Sequence, residues 1–330
     1  MKFQKEDISN CTFLITGGAG FIGSNIVKYL VSQNAKEVRI VDNLSNGYVE
    51  NIQDFLKLPS VKFIEASLVD FEVCKNAVKG IDYVIHQAAL GSVPRSINNP
   101  IATNEANVSA FLNLLTAAKD EGVKRMVFAS SSSVYGDAPG MPRIETIVGN
   151  PLSPYAVSKH VDEMYAKVFY KVYKMPVIGL RYFNVFGPHQ SPNGPYAAVI
   201  PMFMQALLSG QSPIIHGEGD QSRDFTYIDN VVEANIKALF TTEENALGEM
   251  FNIALGEATS VLDLFKMLKT AVNSTLEPKF VAPRAGDVKD SLADISKAKS
   301  LLGYDPQVKM DIGLKQTIEW FEKKYFLKEA

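Results

Sequence analysis

The chain has 330 residues, 46% of them hydrophobic and 21% charged, with a formal net charge of −3 at neutral pH. That describes a globular protein with room for a large core and about two domains. The slight acidic balance excludes a basic surface for nucleic acid or anionic lipid, and no apolar run nears the ~20 residues of a membrane span.

Cys11 and Cys74 have no Cys-x-x-Cys partner, and with four histidines they make no zinc pattern. Both read as reduced structural residues, and no metal is expected. Met1 to Asn10 is polar and lacks the apolar centre of a secretion signal, so a cytoplasmic protein is expected.

Phe13-Leu14-Ile15-Thr16 is a short apolar run followed by glycines, which predicts a buried first strand. Gly17-Gly18-Ala19-Gly20-Phe21-Ile22-Gly23 then opens a helix running to about Gln33. The early pair allows a tight turn, Gly20 lets the backbone approach a pyrophosphate, and Gly23 lets the helix pack close to the strand. The helix N-terminus offers free N–H groups to the phosphates. A second strand, Val38 to Val41, ends at Asp42. A carboxylate there can accept both hydroxyls of an adenine ribose and would repel a 2′-phosphate. Asn43 follows instead of an arginine, which favours NAD over NADP.

The alternation continues with strands at Val61 to Ile64, Tyr83 to His86, Arg125 to Ala129 and Val177 to Arg181. Helices are predicted over Phe71 to Val78, Pro100 to Glu121 and Tyr155 to Tyr173. Pro100 sits near the start of the second and Gly122 just past its end. Strands separated by helices imply right-handed crossovers and an α/β fold with a doubly wound parallel sheet of the Rossmann type. After Arg181 the alternation breaks. Phe225 to Asn252 reads as strand, helix, strand returning to the main sheet, and helices are predicted over Val261 to Val272 and Ile295 to Leu302. The expected division is residues 1–181 and 225–252 as the dinucleotide domain, with 182–224 and 253–330 as a smaller α/β lobe closing over it.

One stretch carries chemistry of its own: Ser153-Pro154-Tyr155-Ala156-Val157-Ser158-Lys159. A spacing of four puts Tyr155 and Lys159 on one face of a helix, one turn apart. A phenol, with a pKa of about 10, is normally too weak an acid to serve as a base near neutrality. A neighbouring ammonium favours the phenolate, and the pair can then take a proton from an alcohol.

The glycine loop, Asp42, the serine cluster Ser130-Ser131-Ser132-Ser133 before Val134-Tyr135-Gly136, and the Tyr155/Lys159 pair together resemble the extended short-chain dehydrogenase/reductase family over essentially the whole chain. Within it the chain looks most like the UDP-hexose 4-epimerases. His86-Gln87-Ala88-Ala89-Leu90-Gly91-Ser92-Val93-Pro94-Arg95-Ser96 and Pro192-Asn193-Gly194-Pro195-Tyr196-Ala197-Ala198-Val199-Ile200-Pro201 are similar to the branch acting on UDP-N-acetylhexosamines and their uronic acids. Related dehydratases carry Thr-Asp-Glu where Ser131-Ser132-Ser133 stand, so the acids needed to eliminate water are absent.

The resemblance implies a set of roles. Ser131, Tyr155 and Lys159 would be catalytic, with Lys159 also binding the nicotinamide ribose. Gly17, Gly20, Phe21, Ile22, Gly23, Asp42, Asn43, Asn46, Gly47, Gln87, Ala88, Ala89, Asn107 and Phe183 would contact NAD. Ser92, Ser131, Ser132, Asn184, Val199, Arg223, Arg284, Asp287 and Ser291 would meet the UDP-sugar. Ala66-Ser67-Leu68 departs from the family's Gly-Asp-Ile, so the adenine contact is changed. Ser291 stands where narrow-specificity epimerases carry tyrosine, which leaves room for an N-acetyl group; the plainer reading is a serine starting a helix. The implied activity is NAD-dependent 4-epimerisation of UDP-GlcNAc and UDP-GalNAc, with the uronic acids and UDP-Glc/UDP-Gal as further candidate substrates, by a homodimer joined through a four-helix bundle. The alternatives are a narrow UDP-glucose 4-epimerase, a UDP-glucuronate decarboxylase, or a dinucleotide sensor, against which the Tyr155/Lys159 pair argues.

Overall fold

The computed structural model of the chain describes residues 2–193, 197–283 and 289–327. Strands β1 (Thr12–Thr16), β2 (Glu37–Asp42), β3 (Val61–Glu65), β4 (Tyr83–His86), β5 (Arg125–Ser131) and β6 (Val177–Tyr182) follow the predicted alternation closely. Between them run α1 (Phe21–Ser32), α2 (Phe71–Val78), α3 (Val93–Asn98), α4 (Pro100–Asn104), α5 (Ala110–Glu121) and α6 (Pro154–Tyr173). The second half adds β7 (Asn184–Phe186), α7 (Val199–Leu208), β8 (Ile214–His216), β9 (Ser222–Tyr227), α8 (Ile228–Phe240), β10 (Met250–Ile253), β11 (Ala258–Ser260), α9 (Val261–Ala271), β12 (Lys279–Val281), α10 (Ser296–Leu302) and α11 (Met310–Tyr325).

The main sheet has seven parallel strands in the order β10-β6-β5-β4-β1-β2-β3. The order reverses between β1 and β4, and a cleft opens there beyond the carboxyl ends of the strands. Both faces of the sheet are covered. Phe13, Ile15, Ile85 and Val127 point into one apolar cluster and Leu14, Val84, Met126 and Phe128 into the other. The continuous apolar runs of these strands therefore feed two cores.

The predicted strand–helix–strand passage from Phe225 to Asn252 divides between two sheets. β10 joins the main sheet beside β6, whereas β9 pairs with β7 and β11 in a separate sheet of three strands. A third sheet pairs β8 with β12.

The long helix predicted over Pro100 to Glu121 is interrupted. Glu105–Ser109 winds as a π turn between α4 and α5. Single π turns inside α-helices are frequent at functional sites, and this one carries Asn107.

Candidate active site

The glycine loop between β1 and α1 is shaped by close backbone approach. Gly17 has φ +66°, and a Cβ there would lie 2.6 Å from the Ala88 amide nitrogen. A Cβ on Gly23 would lie 2.2 Å from the Gly17 carbonyl. At Gly20 only the Gly17 carbonyl comes within reach, at 3.1 Å, so that residue faces open space. Glycine in this register lets α1 start hard against the sheet with its N-terminus toward the cleft.

Asp42 closes β2. Its Oδ2 accepts the Ala19 amide at 3.0 Å and its Oδ1 accepts the Leu44 amide at 2.8 Å. Burial pushes the carboxyl upward in pKa while those two amides pull it down. Gly17, Gly20, Asp42, Asn43, Asn46, Gly47, Ala66, Ser67, Leu68, Gln87, Ala88 and Ala89 line one cavity. Ser67 and Leu68 present no acid to it, as the departure noted above implies.

A larger cleft of about 510 Å³ continues from there. Its wall contains Phe21, Ile22 and Gly23 from α1, Ser131 from β5, Tyr155 and Lys159 from α6, and Phe183. Sequence positions from 21 to 183 thus meet on one surface. Ser153 starts α6 as its N-cap, its hydroxyl accepting the Ala156 amide at 3.1 Å. That fixes the helix start so that Tyr155 enters the cleft in the first turn and Lys159 in the second. Ser131 caps the next turn, its Oγ accepting the Ser133 amide at 3.2 Å.

Beneath the cleft lies a buried polar layer. Ser130 Oγ donates to Glu163 Oε1 at 2.6 Å. Arg181 grips the same carboxylate in bidentate fashion, at 2.8 and 2.7 Å. His86 accepts from or donates to Thr16 Oγ1 at 2.7 Å, and burial with the nearby Lys159 cation pulls its pKa down to about 3. Asn107, which the sequence aims at the nicotinamide, is fully buried. It accepts the Leu90 amide at 2.8 Å and donates to Ser158 Oγ at 2.9 Å. It ties the loop after β4 to α6.

A second cavity of about 240 Å³ abuts the cleft and shares Val185, Gln190, Ala197 and Ala198 with it. Asn184, Val199 and Arg223 stand in its wall among Phe186, Phe203 and Phe225. Arg223 Nη1 donates to the Ser222 and Lys289 carbonyls at 2.7 and 3.1 Å. Arg284 and Asp287 lie outside the described residues.

Besides the buried Asn107, three expected contacts sit apart from these walls. Ser92 caps α3, accepting the Arg95 amide at 3.2 Å. Ser132 lies in the turn after β5. Ser291 starts no helix, since α10 begins at Ser296; its amide donates to the Ser222 carbonyl at 3.1 Å, beside Arg223. Gln190 and Arg95 line the cleft without having been singled out by residue type or spacing. Arg95 Nη1 donates to Asn46 Oδ1 at 2.6 Å, across the cleft mouth.

A dinucleotide suits these groups. The Gly17–Gly23 backbone leaves a cradle that side chains would fill, Asp42 stands at the end of β2, and the buried Gln87 Oε1 in the cavity wall has no partner among the described residues. The NAD dependent epimerase/dehydratase family model matches residues 13–254. The chain belongs to that family.

It is an enzyme, and NAD is its cofactor. It is similar to a solved UDP-N-acetylglucosamine 4-epimerase from Methanobrevibacter ruminantium M1 in complex with UDP-N-acetylmuramic acid. The two are 40% identical with a TM-score of 0.90, over 95% of this chain and 98% of the other. A UDP-glucuronic acid 4-epimerase from Bacillus cereus, solved with UDP-glucuronic acid and NAD, is 32% identical with a TM-score of 0.88, over 95% and 100%. The UDP-glucose 4-epimerase of Mycolicibacterium smegmatis is 36% identical over 94% of this chain and 98% of its own.

Among the described residues no helix is long and apolar enough to cross a membrane, and no group of three or more His, Cys, Asp or Glu could hold a metal ion. Both cysteines are free, and burial pushes the Cys74 thiol up to about 12, which leaves it inert.

Proposed function

We propose that this enzyme is an NAD-dependent 4-epimerase of UDP-sugars that interconverts UDP-GlcNAc and UDP-GalNAc. The observation that carries the reading is the meeting of Ser131, Tyr155 and Lys159 in one cleft wall with the glycine loop, next to a cavity holding Asn184, Val199 and Arg223.

When bound, NAD supplies a nicotinamide that takes the hydride of the sugar's C4 and later returns it. Tyr155, as phenolate, takes the 4-hydroxyl proton, and the Lys159 ammonium favours that phenolate. The Ser131 oxygen already accepts the Ser133 amide, which leaves its own proton to steady the sugar's 4-oxygen. The resulting 4-keto sugar turns about its link to the diphosphate and presents its other face, and Tyr155 gives the proton back as the alcohol re-forms inverted. The second cavity holds the nucleotide still meanwhile, with Arg223 as a cation suited to a diphosphate; the family resemblance assigns Arg284 and Asp287 to the same UDP. Asn43, Asn46, Gly47, Ala88, Ala89 and Phe183 contact the cofactor, with Asn107 holding the Leu90 loop in place.

Residues 1–181 and 225–252 form the cofactor domain in this reading, and 182–224 with 253–330 the UDP-sugar lobe. Ser291 leaves room for an N-acetyl group. The protein works in the cytoplasm as a homodimer, and its product feeds polysaccharide synthesis. Support for the dimer comes from Val157, Met164, Val168 and Val172, 48–60% exposed in one stripe along α6, with Ile97 and Ile101 exposed nearby on α3 and α4.

Purified protein incubated with UDP-GlcNAc, UDP-Glc and the uronic acid of UDP-GlcNAc, without added NAD, tests the reading. The expected product is the 4-epimer of UDP-GlcNAc at unchanged mass. Loss of carbon dioxide from the uronic acid would instead make the enzyme a decarboxylase. Ser291→Tyr is expected to abolish turnover of UDP-GlcNAc, and unchanged turnover would discard Ser291 as the gate. A Tyr155→Phe enzyme as fast as the parent would overturn the mechanism.

A further inference from the structure

Lys159 is 1% exposed, and its ammonium has a single hydrogen-bond partner among the described residues: Nζ lies 3.4 Å from Asp162 Oδ2. Asp162 follows one turn further along α6, itself 0% exposed, and its buried Oδ1 has no partner among the described residues. A carboxylate so placed gives up its water for one long contact, and burial pushes its pKa up while Lys159 pulls it down. Among the described residues, two further titratable groups act on the pair. Glu163, the next residue, is engaged by Arg181 and Ser130. His86, from β4, is kept neutral by burial and by the Lys159 cation.

We infer that Asp162 is a positioning residue for the proton transfer, fixing the Lys159 ammonium under the cleft and setting how much of its field reaches the Tyr155 phenol. The inference rests on the reading of Tyr155 as the base. Tyr155 lies four residues before the lysine and Asp162 three after it, so two anion-forming oxygens compete for one cation. With Asp162 ionised, part of the lysine's field ends on the carboxylate and the phenolate is less favoured. With Asp162 protonated, the cation acts on the phenol undivided. In the proton transfer itself only O–H bonds change: the proton that the phenolate takes from the 4-hydroxyl returns to the same oxygen at the end of the cycle, and Asp162 takes no part in the hydride transfer.

The test compares the pH dependence of kcat in the NAD-loaded parent and in Asp162→Asn, which keeps the shape and removes the charge. The acid limb of the variant is expected at lower pH by roughly half a unit to one unit, less than the shift from a directly adjacent charge, in kcat rather than KM. A folded, NAD-loaded variant with an unmoved acid limb overturns the inference; a structural role alone would lower the melting temperature without moving that limb. Should the variant fail to fold or to load NAD, the parent decides. Its phenolate ultraviolet absorption, minus that of Tyr155→Phe, is expected to titrate over a wider pH range than a one-proton curve, and a simple one-proton curve overturns the proposal. A Tyr155→Phe enzyme with parental turnover would sink the mechanism itself, an outcome distinct from these.

Discussion

Replacing Arg181 by methionine tests the polar frame under the active site. Arg181 and Glu163 have side chains 2% and 5% exposed, joined by two contacts at 2.8 and 2.7 Å. The guanidinium also donates to the Glu145 carbonyl at 3.1 Å and lies 4.9 Å from the Tyr135 ring centroid. With methionine at 181, Glu163 keeps only the Ser130 hydroxyl at 2.6 Å. Breaking a buried pair from one side costs about 3–5 kcal/mol, because the remaining charge is left uncompensated. Removing the charge as well, in Arg181→Met with Glu163→Gln, is expected to recover most of that loss. Urea unfolding at fixed NAD saturation measures it, since bound cofactor shifts the apparent stability. Turnover should fall too, because Ser130 adjoins Ser131 and Glu163 shares α6 with Tyr155 and Lys159. A single variant within about 1 kcal/mol of the parent, or a double variant no more stable than the single, would refute the assignment of that cost to a stranded carboxylate.

Gly23→Ala puts a methyl group 2.2 Å from the Gly17 carbonyl and 2.7 Å from the Gly18 Cα, backbone on both sides. The variant is expected to lose about 1–3 kcal/mol and to purify without NAD, and full NAD content by absorbance would count against the cradle. His86→Gln addresses acid stability. An unfolded histidine protonates near an ordinary 6.5, whereas His86 in the fold stays neutral down to about 3. The unfolded state therefore binds the extra proton across that window, and His86 makes stability fall as pH drops through it. The variant's unfolding midpoint should decline less than the parent's between pH 6.5 and the acid end of that window; parallel declines would contradict the shift. Met164→Lys with Val168→Lys puts two charges into the exposed stripe of α6. Monomers by light scattering are expected, and an unchanged dimer would place the interface elsewhere.

The first half of the fold was open to reading because its signals are local. Each strand from Thr12 to Tyr182 is a short, mostly apolar run, Gly122 marks the end of α5, and close backbone approach requires glycine at 17 and 23. The second half resists such reading. β7, β8, β11 and β12 are three residues each, too short to show a period, and β9 reads as a strand without revealing which sheet it joins. Pairing partners are settled by contacts across the chain, not by the segment itself. The same distinction runs through the site. Tyr155 and Lys159 announce themselves by spacing, because one helix face is a local property. Asn107 does not: its role depends on a π turn that no residue type signals and on bonds to Leu90 and Ser158, 17 and 51 residues away.

Asp162 falls on the far side of that line. By sequence it is one more acid on a helix with Lys, His and Glu neighbours, which reads as a solvated face. Only its burial against Lys159, with one oxygen left unbonded, turns it from a surface charge into a competitor for the cation that the phenol needs. Helix spacing put Asp162 one turn from Lys159, but spacing says nothing of burial, and a side chain's chemistry was hidden wherever the rest of the fold decided whether it meets water.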